Sequence, residues 1–209
     1  MQTLNKGELP LKKPVLNTVI RLTNKEYVDA WATLIHTFYQ EGISDDALFQ
    51  NLGMNEEGES RLTLELSTAL TVIALLSFAS KPKLCSNEKQ RDKMKDAIVK
   101  AVYQKVFPDF EEDVLKSCET YCQSRVTIFS QVCRNIYSTQ PQKRQSDLVG
   151  FARYITAQVS PRSESDNTVA LERLGILLSS ACDAYMKLLN NSTQDTTQID
   201  GKPSFSVKK

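Results

Sequence analysis

Three cysteines fall within sixteen residues in the stretch CETYCQSRVTIFSQVC (118–133). Thiols at that density suggest three chemistries: metal ligation, reversible oxidation and plain packing. On a helix each residue turns about 100°, so Cys118 and Cys122 lie one turn apart and Cys133 returns to nearly the same azimuth. A structural zinc needs four converging ligands, yet Cys133 sits about 16 Å along the axis from Cys122 at the standard rise. A Cys118/Cys122 pair would have to recruit Cys85, Cys182 or His36, and no spacing announces such a site. Oxidation chemistry needs a thiolate favoured by nearby cations or a helix N-terminus, whereas this pair is mid-helix beside Glu119. Leu115, Val126, Phe129 and Ile136 share the same stripe, which is the ordinary buried face of an amphipathic helix. Packing is therefore the first expectation, with Cys118 and Cys122 as the redox pair of an alternative, thiol-based sensor.

Other catalytic constellations are sparse. The single histidine, His36, projects with Asp29, Thr33 and Gln40 away from an apolar stripe, so it is expected in solvent. The seven glycines are isolated and form no dinucleotide, P-loop or nucleophile-elbow spacing. Carboxylates group at Glu56, Glu57 and Glu59 and at Glu111, Glu112 and Asp113, but neither set brings in a second converging set of ligands. The sequence thus predicts a non-enzyme with no cofactor and no metal site.

Charge is more informative locally than globally. With 26 basic and 25 acidic residues the net charge is +1, which gives no overall field for nucleic acid or an anionic bilayer. Residues 81–105, however, set eight cations against three carboxylates, a local charge of +5. Lys89, Arg91, Lys93, Lys95 and Lys100 are the candidate phosphate-backbone contacts, with Lys89, Lys93 and Lys100 on one side of the helix. The segment lacks interleaved aromatics for stacking bases. Acidic stretches at 41–59 and 109–119 stand opposite it in sign, a segregation that suits docking to a protein or self-association.

The elements that carry these residues read as helices. Val28, Trp31, Ile35 and Phe38 mark a core stripe over 24–41, after a Thr23/Glu26 cap. Further helices are expected over 44–52, 60–80, 86–107, 109–138, 143–160 and 165–190. The most apolar segment, 66–79, is 14 residues long against the roughly 20 that span a bilayer, so it reads as a core helix and no membrane contact is expected. Five cysteines in no paired pattern and an N-terminus without an apolar leader suggest a cytoplasmic chain.

The fold expectation is all-α: a bundle of six to seven helices, mostly antiparallel, over 23–191, with an irregular N-terminal arm (1–22) and a disordered C-terminal tail (192–209). The function expected is a protein-protein interaction factor, either a regulatory or adaptor protein or a small structural subunit of a larger complex. The alternative is a nucleic-acid-binding accessory subunit of a ribonucleoprotein or DNA-associated complex that uses 81–105.

Overall fold

The structure, a computed structural model, describes residues 19–80, 87–133, 135–138, 140–199 and 202–208, with backbone alone for 19–23, 132, 141, 191–199 and 202–208. Seven α-helices pack into a bundle: α1 (Asn24–Ile43), α2 (Asp46–Leu52), α3 (Glu56–Ala79), α4 (Glu88–Val106), α5 (Glu112–Val132), α6 (Pro141–Val159) and α7 (Thr168–Asn191). A 3-10 turn over Glu164–Asn167 leads into α7. Of the expected irregular arm (1–22) and disordered tail (192–209), residues 1–18, 200, 201 and 209 lie outside the described residues, and the described backbone of the rest is extended. Here β1 (Val19–Thr23), β3 (Lys202–Lys208) and β2 (Ser192–Ile199) pair antiparallel in that order. Polar strands such as STQDTTQI carry no apolar alternation, so ladder hydrogen bonds alone define them, and those leave no mark on composition.

The bundle is organised around α3, which packs against α1, α4, α5, α6 and α7. It is the one described helix long and apolar enough to cross a membrane, and enclosure by five neighbours accounts for that apolarity. Its buried hydroxyls are satisfied locally. Ser67, Thr71 and Ser77 donate to the carbonyls of Leu64, Ser67 and Ile73, while Thr68 pairs with the Tyr103 hydroxyl of α4 at 2.7 Å. At one end of the core Trp31 meets Tyr27, Phe78 and Tyr185 with ring centroids 5.6 to 6.4 Å apart, joining α1, α3 and α7.

Two boundaries differ from the sequence reading by more than three residues. Asn55 accepts a hydrogen bond from the Gly58 amide, so α3 begins at Glu56, and Glu56, Glu57 and Glu59 form its first turn, where carboxylates suit the helix dipole. At the other boundary α5 ends at Val132, six residues early, and Cys133 is its C-cap with a non-helical ψ of 69°.

The short α2 is held from both ends. Asp45 caps it through the Leu48 amide and takes Arg173 Nη1 of α7 on both carboxylate oxygens, at 3.0 and 2.7 Å. Gly53, at φ 59°, closes it in the left-handed conformation open to glycine. The Arg162 guanidinium then donates to the free carbonyl of Asn51 at 2.8 Å, while the Ser160 hydroxyl lies 2.7 Å from that of Leu52. The turn between α6 and α7 thus serves as the cap of α2.

Candidate interaction surface

The cysteines of the opening stretch go to three environments. Cys122 is fully buried, and burial pushes its thiol up to about 12 against the opposing hydrogen bond from Tyr103. Cys118 is half-buried and is also raised, by burial first and Glu119 after it. Cys133, at the end of α5, is pushed up to about 12 by burial and by Asp147. Cys182, buried in α7, sits at about 11 for the same first reason and donates weakly to the Ile136 carbonyl at 3.6 Å. All four are free thiols, and their surroundings oppose the thiolate that redox or metal chemistry requires. No group of three or more potential metal ligands occurs among the described residues, and Cys85 lies outside them.

His36 is half-buried, where the sequence reading put it in solvent. Its Nε2 lies 3.2 Å from the Gln40 amide, and burial and then Lys105 lower its pKa. Lys105 is itself paired with Asp29 at 3.0 Å, a contact between α4 and α1 that takes Asp29 out of any histidine-centred site.

On α4 the five candidate cations divide into two sets. Arg91, Lys95 and Lys100 each have a carboxylate in reach: Glu88 at 3.7 Å, Asp92 at 3.1 Å and Glu112 at 3.9 Å. Lys89 and Lys93 are exposed and have no ion pair among the described residues. Lys81 and Lys83, counted in the local charge of +5, lie outside the described residues.

Of the two unpaired lysines only Lys93 borders a groove, which lies between the start of α1 and the first half of α4 with a volume of about 370 Å³. Val28, Met94 and Ala97 line it together with the stems of Lys25 and Lys93, and Asn24 and Gln90 complete it. Two of these residues escaped the sequence reading. Lys25 belongs to no charge run, and Val28 was assigned to the core stripe. The buried face of α1 keeps Trp31 and Ile35 of the expected stripe and adds Tyr27, Ala32, Tyr39 and Gly42, while Val28 and Phe38 are half-buried at its edges, Val28 at the groove. The wider arc follows from neighbours on several sides, since α1 packs on α3, α4 and α7 and a single stripe cannot describe that burial.

A second polar feature lies across the bundle, at the seam of α3, α5 and α6. Glu65 of α3 is 2 % exposed. Tyr121 of α5 donates to its Oε1 at 2.5 Å, and Arg125 Nη2 donates to the Tyr121 oxygen at 2.8 Å. The Tyr154 hydroxyl of α6 stands 3.4 Å from that of Tyr121. The Arg125 guanidinium also lies over both rings, 4.6 Å from the centroid of Tyr121 and 5.2 Å from that of Tyr154. Burial works against its charge, but the hydrogen bond to Tyr121 and the electrostatic influence of Tyr121, Tyr154 and Glu65 keep its pKa above the usual arginine value. Burial, the Tyr121 hydrogen bond and then Glu65 raise the Tyr154 phenol. A glutamate directly before the apolar run 66–79 of α3, with tyrosine and arginine four apart on α5, was the signal for this cluster.

A scan against protein-family models, a search of curated proteins and a search of solved structures each find no match to this chain.

Proposed function

We propose that this chain is a non-catalytic protein-interaction factor that docks through the α1/α4 groove, and that the occupant is an acidic amphipathic helix of another protein. One observation supports this reading above the rest: the groove pairs an apolar lining with a rim of Lys25 and Lys93 that no described carboxylate neutralises. An apolar side chain entering between Val28, Met94 and Ala97 gains burial, and carboxylates one turn away on the same helix meet the rim. Nucleic acid fits less well. Arg91, Lys95 and Lys100 are engaged by carboxylates, and no aromatic side chain among the described residues lines the groove to stack a base.

The test is a titration with a labelled helical peptide carrying glutamates on one face and leucine or phenylalanine anchors on the other, followed by fluorescence anisotropy. Saturable binding that weakens about tenfold in Lys25→Glu/Lys93→Glu supports the reading, since like charges replace complementary ones at the rim. Binding that the double reversal leaves unchanged would overturn it. Tighter, strongly salt-dependent binding of a single-stranded oligonucleotide of equal charge would transfer the same surface to the nucleic-acid alternative.

A further inference from the structure

We propose that the Glu65 cluster is a cation-binding box whose present occupant, Arg125, is a tethered side chain that an external guanidinium or primary ammonium can replace. The proposal is independent of the α1/α4 groove. A carboxylate on the floor and two tyrosine rings as walls form the usual chemistry for holding a cation away from bulk water.

Arg125 fills this box incompletely. Its guanidinium rests on the rings and donates to the Tyr121 oxygen, yet its buried Nε has no hydrogen-bond partner, and neither has Oε2 of Glu65. The reason is geometric: Arg125 is four residues from Tyr121 on the same helix, so it approaches the box from the α5 side and stops at the phenol. The Tyr121 hydroxyl spends its proton on Oε1, which leaves Tyr154 as the donor in the contact between the two phenols. No hydroxyl proton in the cluster is left for Oε2. A carboxylate nine-tenths buried with one oxygen unmatched has a standing preference for an N–H donor. A cation that lies between the rings and points N–H at Oε2 would meet that preference, which Arg125 does not. Arg125, Tyr121 and Tyr154 are only half-buried, so the rim of the box faces water and exchange needs no unfolding of α3.

The experiment titrates the full chain with ethylguanidinium and, separately, with N-acetyl-arginine amide, following the ring resonances of Tyr121 and Tyr154 by NMR. Tetramethylammonium is the control, because it can stack on the rings but has no N–H for Glu65. The expected result is saturable shifts of both rings with the first two cations and a response at least about tenfold weaker with the third. Removing the competing occupant in Arg125→Gln should tighten ethylguanidinium about tenfold, because the binding-competent form becomes the major one. Glu65→Gln should abolish saturation. If that variant does not fold, Arg125→Gln still decides the matter, since it changes only a half-exposed side chain. Tighter binding of the arginine amide than of ethylguanidinium would identify a partner's arginine as the source of the cation, and equal binding a small free amine. Shifts that stay linear with all three cations, or an affinity unchanged in Arg125→Gln, would overturn the proposal.

Discussion

The lysine rim of the α1/α4 groove and the Glu65 cluster of the α3/α5/α6 seam are both charged, but they are solvated in opposite ways. On the rim, Lys25 and Lys93 keep their ammonium groups in water and line an apolar trough with their stems. In the seam a carboxylate is removed from water and connects to its cation only through a phenol. Charge on the rim is almost free for the fold and available to a partner. In the seam it constrains the fold, because each buried group depends on its neighbours. Substitutions should therefore separate the two regions, with stability responding in one and binding in the other.

The largest expected effect is in the seam. Glu65→Ala leaves the Tyr121 hydroxyl without its acceptor and the Arg125 charge without a nearby carboxylate, and should lower unfolding free energy by about 3 kcal/mol in urea denaturation. Replacing both charges, as Glu65→Leu with Arg125→Leu, should cost less than about 1 kcal/mol, because no charge is then left unpaired and the Tyr121 hydroxyl keeps its contact with Tyr154. A double variant as unstable as the single one would show that shape, and not hydrogen bonding, dominates there.

Next in size is the Asp45–Arg173 pair that holds α2 to α7. Burial alone would raise the Asp45 carboxyl, but the Arg173 hydrogen bond, the Leu48 amide and the Arg173 charge outweigh it and hold its pKa below the ordinary aspartate value. The stabilisation is complete above the unfolded-state pKa and disappears as pH falls through the lowered folded-state value. Arg173→Ala should cost about 0.5 to 1 kcal/mol near neutrality once solvent screening is allowed for, and almost nothing in strong acid. Denaturation midpoints across pH 2 to about 7 measure this directly.

The thiols sharpen the contrast between interior and surface. With Cys122 pushed up to about 12 and enclosed, a thiol reagent at about pH 8 should modify half-buried Cys118 well before Cys122, as read by peptide mass mapping. Early modification of Cys122 would revive the sensor reading of the Cys118/Cys122 pair. The smallest effect on stability belongs to the rim: Lys25→Glu/Lys93→Glu should change unfolding free energy by no more than about 0.5 kcal/mol while it weakens the peptide.

The helical bundle was legible because apolar residues recur at three and four spacings from Trp31 to Leu189. The enclosed α3 was legible from its run of apolar residues alone. Less of the site could be read. Lys89 and Lys93 stood out in a basic run, but Arg91, Lys95 and Lys100 looked equivalent to them until carboxylates on neighbouring turns and on α5 were in place. Lys25 and Val28 could not be assigned to the groove, since their role depends on α4, more than sixty residues away in sequence. Glu65 was visible as an exception, but its partners come from two other helices, and nothing local connects position 65 with 121 and 154.

The most direct test is amide hydrogen exchange on the chain with and without the acidic amphipathic peptide. A docking site between α1 and α4 requires slowed exchange over 24–28 and 90–97, with α5 and α6 unchanged. Slowing confined to the α5/α6 seam, or spread evenly over the bundle, would contradict the central claim that the lysine-rimmed groove is where this protein meets its partner.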